Sequence, residues 1–219
     1  MLYRTAAKYV QYTVMAIRDI NTKFTSSLDK GPLLIVGLGN VGDEYDKTRH
    51  NAGFMALDHF AHQFELGEFK KKADLNAEII ETNLAGKKLI LAKPHTYMNK
   101  SGLAVVKLQN YFSVNDPRIL IVYDDIDIDF STVRSRTSGS SGGHNGIKSI
   151  EQVIGDSFAR VRIGVKNDHL EHQDTADFVL TKFSRAELSE LKHTLDYTNK
   201  QIELFIESQF EETSATIAP

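Results

Sequence analysis

The pattern of apolar and polar positions predicts alternating strands and helices from Leu33 onward. Leu33 to Val36 is a continuous apolar run that breaks at glycines, as a buried strand does. Apolar residues then recur at helical spacing and predict a helix ending near Gly67: Phe54, Leu57, Phe60, Ala61 and Phe64. A strand followed directly by a helix is the opening unit of an α/β fold.

The alternation continues along the chain. Two apolar segments, 77–82 and 88–92, flank a turn-forming stretch and predict a hairpin. The remaining predicted elements are a helix over 101–112 with Ser101 as its N-cap, strands over 119–123 and 160–165, and a long helix opened by the capping-box pair Ser184 and Glu187. The sequence therefore predicts one α/β domain with a mixed, mostly parallel, twisted sheet and helices on both faces.

The two ends of the chain are expected to lie outside this domain. The segment 1–31 starts with eighteen residues that include basic but no acidic side chains. Organelle-targeting presequences have this composition, but so do ordinary terminal extensions, which we favour here. We expect the domain over 32–210 and a polar, frayed tail over 211–219. No run approaches 18 apolar residues, so we expect no membrane span.

Composition narrows the possible chemistry. The chain has 219 residues, of which 41% are hydrophobic and 25% charged, as in ordinary globular domains. It contains no cysteine, which excludes a disulfide framework, a thiolate zinc site, an iron–sulfur cluster and a cysteine nucleophile. The net charge of −3 argues against a protein that coats nucleic acid non-specifically, although a binding site needs only local charge.

Local positive charge is present in the second half of the chain. The basic residues there are Arg134, Arg136, Lys148, Arg160, Arg162 and Lys166. Strand alternation is expected to turn Arg160 and Arg162 outward. Asn145 and Gly146 begin a predicted helix, where free backbone N–H groups favour phosphate. We therefore expect a substrate that carries phosphate.

One glycine motif suggests a dinucleotide site. The stretch 37–42 matches G-x-G-x-x-G directly after a strand. A dinucleotide fold also needs an acidic residue at the end of a second strand about 20 residues on. Asp58 instead lies inside the predicted helix, so an oxidoreductase is the weaker alternative.

A second glycine motif, over 139–143, matches the G-x-S-x-G of serine hydrolases. A nucleophile elbow needs a hydrophobic strand leading into the serine, but the segment 134–138 is polar and basic. The pattern is more typical of a mobile loop.

A run of aspartates over 124–129 could suggest a divalent metal site. Counted from Asp125, the sixth position is Phe130, where a calcium-binding loop would need glycine. We expect Asp125, Asp127 and Asp129 to form a solvated strand face and Asp124 to point to the opposite face, at a strand end where α/β proteins bind ligands.

The remaining candidates are polar residues near the ends of predicted strands and in loops that enter helices: Asn40, His50, Asn51, Asn99, Asp124 and Asn145. A histidine paired with a buried aspartate makes a competent base, and asparagine amides can orient water or donate to an oxyanion. Because cysteine is absent and no serine has the right context, water is the simplest nucleophile. The predicted chemistry is hydrolysis of an activated acyl bond.

Several of these residues lie in motifs that resemble one family. The stretches 37–53, 93–102 and 142–146, together with Tyr123-Asp124-Asp125 and Arg162-Ile163-Gly164, are similar to the bacterial-type peptidyl-tRNA hydrolases. The resemblance runs from Leu33 to about Phe205. It implies a single-domain, monomeric, cytoplasmic α/β enzyme without metal or other cofactor, or an organellar one if residues 1–30 are a presequence. Its substrate would be peptidyl-tRNA, cleaved at the ester to the 3′-terminal ribose.

The resemblance also implies roles for individual residues. His50 would be the general base and Asp124 would orient it. Asn40 and Asn99 would place the peptide and the tRNA terminus, and Asn145 would bind the ribose end and the water.

Further residues would surround this centre according to the same resemblance. Additional substrate-binding positions would be Tyr45, Asn51 and Tyr97, and the arginines facing tRNA phosphate would be Arg134, Arg136 and Arg162. The loop 137–143 would be a flexible gate. The chain departs from the family pattern at Val41, Tyr97 and 129–131, which affects loop geometry more than chemistry. A non-catalytic RNA-binding relative is the alternative, but the polar set is complete, which favours an enzyme.

Overall fold

The apolar run that begins at Leu33 forms the middle of a sheet. The computed structural model describes residues 31–168, 170 and 173–218. Strand β1 (Leu33–Gly37) is buried along its whole length because parallel strands flank it on both sides and helices cover both faces. The parallel neighbours are β4 (Lys87–Pro94) and β5 (Ile119–Asp129), and β7 (Ala159–Lys166) lies parallel to β5.

The outer strands pair antiparallel to this centre. On one side lie β2 (Lys70–Lys72) and β3 (Ala77–Leu84), and on the other β6 (Thr132–Arg136) and β8 (Thr213–Thr216). The order is β2-β3-β4-β1-β5-β7-β6-β8. The predicted mixed sheet is confirmed, with its parallel part in the central four strands.

Helices cover both faces of the sheet. One layer consists of α1 (Ala52–Gln63), α4 (Thr175–Leu180) and α5 (Arg185–Ile206). The other layer consists of α2 (Ser101–Phe112) and α3 (Asn145–Ile154). Successive residues of β1 pack alternately into the two layers, so each face of the strand contributes to a separate apolar core. The predicted α/β class is confirmed.

The glycines of the first motif bring α1 against the sheet. A Cβ on Gly37 would collide with the backbone of Gly53, and a Cβ on Gly53 would collide with the carbonyl oxygen of Val122. Asp58 lies within α1 and pairs with Lys93 at 2.7 Å. The motif therefore serves helix packing, and Asp58 is not placed to bind a ribose, so the dinucleotide alternative is not supported.

We predict that Gly53→Ala lowers the free energy of unfolding by about 1–3 kcal/mol, because the added methyl group overpacks a backbone contact. Urea denaturation of the purified protein measures this. His62→Ala, on the exposed side of the same helix, is the control and should leave the midpoint unchanged. An unchanged midpoint for Gly53→Ala would contradict the packing described above.

The end of the chain differs from expectation. Residues 213–216 form β8 and pair with Thr132–Ser135 of β6, so the prediction of a frayed tail is wrong there. Without β8, the backbone donors and acceptors along one side of β6 would lack partners. The compact unit begins at Pro32, and the segment 1–30, with its targeting interpretation, lies outside the described residues. No helix within the described ranges is long and apolar enough to cross a membrane.

Arg160 is buried, contrary to the expectation that strand alternation turns it to solvent. Its side chain is 1% exposed, and its guanidinium reaches Glu151 at 3.3 Å and the carbonyl oxygens of Ser140 and Asp156 at 3.2 Å each. The reason is that α3 covers this face, so a residue turned away from one core enters the other. Arg160 therefore anchors the loop after β6 and is not available to bind phosphate.

Candidate active site

His50 and Asp124 form the centre of the site. His50 lies in a 3₁₀ turn, Arg49–Asn51, that leads into α1, and Asp124 lies on β5 next to the point where β1 ends. The Nδ1 atom of His50 is 3.0 Å from Oδ1 and 2.9 Å from Oδ2 of Asp124. Both side chains are buried. The structure thus brings together the two residues that the sequence pointed to as a base and its partner.

The environment shifts the pKa of both groups. Burial alone would lower the pKa of His50, but the charge of Asp124 and its hydrogen bond outweigh burial and raise that pKa. Burial would raise the pKa of Asp124, but His50 and His144, through charge and hydrogen bonds, hold it well below its usual range. Asp124 is therefore a carboxylate and can only accept. Assigned from these partners, the proton of neutral His50 is on Nδ1, which leaves Nε2 as the basic atom.

His144 also belongs to this centre, although sequence reasoning did not select it. Its Nε2 lies 3.1 Å from Oδ1 of Asp124, and its Nδ1 accepts the N–H of Ile147 at 3.2 Å, which caps α3. Because Nδ1 accepts, the proton is on Nε2 and is donated to the carboxylate. The only sequence signal was its position directly before Asn145 at the start of a predicted helix.

The same three side chains could also be considered as metal ligands. The nitrogen and oxygen atoms that they offer lie within 4.8 Å of one another. However, the backbone N–H at Nδ1 of His144 keeps the proton on Nε2, the atom that would have to coordinate the ion. A metal there would require an imidazole without either proton. The arrangement is better suited to a hydrogen-bonded cluster around Asp124.

A cavity of about 320 Å³ opens beside His50. Its polar lining includes Asp124, Asp125 and Asn145, and α4 contributes an apolar wall through Ala176 and Val179. The glycines 142 and 143, from the loop that was expected to act as a gate, complete one side. A hydrophobic pocket with few convergent polar groups is a typical binding site for a small or extended ligand.

Asn40 and Asn51 form a linked pair at the edge of a second cavity of about 280 Å³. Asn51 Oδ1 accepts the N–H of Asn40 at 2.8 Å, and its Nδ2 donates to the Asn40 carbonyl at 3.0 Å. Asn40 Oδ1 accepts the N–H of Met98 at 2.8 Å, which points its Nδ2 away from that bond. Asn51 is thus occupied in holding Asn40, whose Nδ2 has no acceptor among the described residues.

Of the other predicted substrate positions, Asn145 lines the first cavity and the rest line neither cavity. Asn145 is the first residue of α3 and is exposed at the first cavity. Tyr97 is 60% exposed and Asn99 is exposed, and they flank Met98, which Asn40 holds. Tyr45 is half-buried. Tyr45, Tyr97 and Asn99 line neither of the two cavities.

The predicted phosphate-facing arginines lie on two neighbouring strands. Arg134 of β6 pairs in register with Arg162 of β7, and Arg136 donates to the carbonyl oxygen of Thr213 at 2.9 Å. Arg162 contacts Asp125 at 2.6 Å. The prediction that Asp125 is solvated is therefore wrong. Tyr123 pairs in register with Arg162 and Asp125 with Gly164, so Asp125 and Arg162 share one face of the sheet, and Asp125 is buried there.

The serine motif does not form a nucleophile. The strand β6 ends at Arg136, and Ser140 and Ser141 lie in the loop that follows. The hydrogen bonds among described residues join neither serine hydroxyl to a histidine, and Ser140 instead contributes its carbonyl oxygen to Arg160. The serine hydrolase alternative is not supported.

Known proteins match the chain over the whole described domain. The family model for peptidyl-tRNA hydrolase matches residues 34–218. This chain is 42% identical to a protein named peptidyl-tRNA hydrolase from Rickettsia africae (strain ESF-5) and 40% identical to one of the same name from Rickettsia canadensis (strain McKiel). The first match covers 85% of this chain and 100% of the relative, and the second covers 82% and 96%.

Solved structures of peptidyl-tRNA hydrolases have a similar fold. The crystal structure of peptidyl-tRNA hydrolase from Acinetobacter baumannii superposes with a TM-score of 0.75 at 34% identity, covering 81% of this chain and 89% of that one. A complex of peptidyl-tRNA hydrolase with N-propanol gives the same values. The family match, the sequence identity and the fold agree with the motifs read from the sequence, and the chain belongs to the bacterial-type peptidyl-tRNA hydrolase family.

Proposed function

We propose that this protein hydrolyses the ester between a peptide, or an N-blocked amino acid, and the 3′-terminal ribose of tRNA, and so returns tRNA from prematurely released peptidyl-tRNA. It acts as a cytoplasmic monomer without a metal. The observation that carries the proposal is the buried His50–Asp124 pair, whose basic Nε2 has no partner among the described residues and adjoins a cavity. Membership of a family named for this activity supports the choice of substrate.

The geometry supports attack by water. Nε2 of His50 takes a proton from a water molecule as the water oxygen attacks the ester carbonyl carbon. Asp124 stabilises the imidazolium that forms, and Nδ2 of Asn40 is the available donor for the developing oxyanion. The bond from carbon to the ribose oxygen then breaks, and His50 returns its proton to that oxygen. The products are a carboxylic acid and tRNA with a free 3′-hydroxyl.

The remaining polar residues suit the two halves of the substrate. The apolar wall of α4 favours the peptide, and Asn145 and Asn99 are exposed where they can contact the ribose end. Arg134, Arg136 and Arg162 supply positive charge for tRNA phosphate, with Arg162 already sharing its charge with Asp125.

The test uses N-acetyl-aminoacyl-tRNA in water enriched in ¹⁸O under single-turnover conditions. We expect one ¹⁸O atom in the released N-acetyl amino acid and none in the tRNA, because water attacks the acyl carbon. If the protein binds the tRNA but releases no more product than a protein-free blank, the non-catalytic RNA-binding alternative is correct.

The rate should fall on the acid side with a midpoint above pH 6.5, the usual pKa of histidine. The base must be neutral to accept a proton, and Asp124 raises the pKa of His50, so protonation begins to remove activity at a higher pH than for a free imidazole. A pH profile of kcat/KM, corrected for spontaneous ester hydrolysis, measures the midpoint. A midpoint well below 6.5 would contradict His50 as the base.

A further inference from the structure

Arg49, the residue before His50, has a side chain that points into the protein. It is 3% exposed. Its Nη1 donates to Oγ1 of Thr181 at 2.9 Å and to the carbonyl oxygens of Thr181 and Lys182 at 3.3 and 3.2 Å, and its Nη2 donates to Oε1 of Glu187 at 2.7 Å. One side chain thus spans the segment after α4 and the first turn of α5.

The surroundings hold this guanidinium in one position. Its central carbon lies 4.5 Å from the ring centroid of Phe178 and 5.2 Å from that of Phe183. Glu187, its ion-pair partner, also accepts the N–H of Ser184 at 2.7 Å as part of the capping box of α5. An ion pair of this kind adds little net stability compared with a well-packed apolar side chain, so its contribution here is to hold the joined segments in position.

The same contacts connect His50 to the wall of the cavity. The N–H of Arg49 donates to the carbonyl oxygen of Thr181 at 3.1 Å, so backbone and side chain both bind the residue directly after α4. The residues of α4 that line the cavity beside His50 are Thr175, Ala176 and Val179. A movement of α4 and a movement of the turn that carries His50 are therefore linked through Arg49.

We propose that Arg49 is a positioning residue that couples the α4 wall of the active-site cavity to His50, holding the imidazole against Asp124 at the distance needed for catalysis. The inference rests on the proposed function. Arg49 does not contact substrate, because its charged end lies inside the protein between the two phenylalanine rings.

Arg49→Met tests the proposal, since it keeps the apolar stem and removes the donors. We expect kcat to fall about 10- to 100-fold, because a displacement of a catalytic group by about 1 Å costs that much. KM should change less than threefold, as Arg49 is not a tRNA contact. The control is Arg185→Met, which removes an exposed arginine from the start of α5 and should leave both constants unchanged. A folded Arg49→Met protein with wild-type kcat, or with only KM raised, overturns the proposal.

A second measurement does not depend on activity. The pKa of His50, followed by NMR of its ring protons, should be lower in Arg49→Met than in wild type, because a loosened imidazole gains less from Asp124. A loss of activity caused only by lower stability would leave that value unchanged in the folded fraction, and this result would overturn the coupling.

Two further variants distinguish a loss of positioning from misfolding of Arg49→Met. Arg49→Lys keeps the charge next to Glu187 but cannot span both segments, so kcat should again fall. Arg49→Met/Glu187→Gln also removes the half-buried carboxylate that loses its ion-pair partner, and its kcat should equal that of Arg49→Met, because both changes interrupt one link. Wild-type activity in either variant contradicts the proposal. Inactive wild-type protein would instead refute the proposed function, while the NMR comparison would still decide the coupling.

Discussion

We expect His50→Ala protein to bind tRNA as tightly as wild type but to hydrolyse N-acetyl-aminoacyl-tRNA about 10³-fold more slowly, within the range that general acid–base catalysis contributes. The substitution removes the Nε2 of His50, the proposed acceptor of the water proton at the cavity, and leaves the Asn40 donor and the arginines in place. Single-turnover rates with saturating protein, together with filter binding of tRNA, measure the two effects separately.

The chain offers a chemically matched control for this result. His59 on α1 and Asp196 on α5 form a second histidine–aspartate pair, with Nε2 and Oδ1 2.6 Å apart, near the protein surface. His59→Ala should keep the wild-type rate. Comparable losses in both variants would show that the His50 effect reflects general damage to the fold, and a His50→Ala protein with more than a tenth of wild-type activity would remove His50 from the role of base.

Asp124→Asn should lower kcat on the order of 10³- to 10⁴-fold, the scale seen when the aspartate of a Ser-His-Asp triad becomes an amide. Both oxygens of Asp124 lie within hydrogen-bond distance of Nδ1 of His50, at 3.0 and 2.9 Å, so in either orientation the NH2 of the amide would face that N–H donor. One histidine must then rotate or change tautomer. The acid limb of the pH profile should also move to lower pH, because burial remains while the charge that raises the pKa of His50 is gone.

Asp127→Asn is the control. Asp127 is exposed on the same strand, and its substitution removes the same charge as Asp124→Asn. It should leave the rate and the acid limb unchanged. If Asp124→Asn loses activity while its acid limb stays at the wild-type pH, then Asp124 does not act through His50, and the paired mechanism is wrong.

The strongly periodic parts of the fold were predictable from the sequence. The run from Leu33, the hairpin of β3 and β4, and the capped start of α5 agree with the structure because each has a local signal: apolar continuity, a turn, or a capping box. The three short outer strands, β2, β6 and β8, have no such signal. The three lysines of β2 carry no apolar alternation, and β6 lies in a polar stretch that was expected to be a loop from Arg134 on.

The centre of the site was predictable for a topological reason. His50 lies in the turn before α1, after the end of β1, and Asp124 lies on β5 beside that end, because β1 and β5 are parallel neighbours in the sheet. His144 escaped selection because histidine is an unusual N-cap, and its contact with Asp124 is made across 20 residues. The prediction that Arg160 is exposed was wrong because strand alternation indicates which face a side chain lies on but not whether a helix covers that face.

The centre of the site is built from three segments that are far apart along the chain. His50 and Asp124 are separated by 74 residues, and His144 follows Asp124 by 20. Contacts between distant residues form late and slow refolding, because their chain entropy must be lost before they contribute. Return of hydrolysis after dilution from urea should therefore coincide with the last kinetic phase of refolding. Recovery of enzymatic activity then measures the rate at which the native fold is completed.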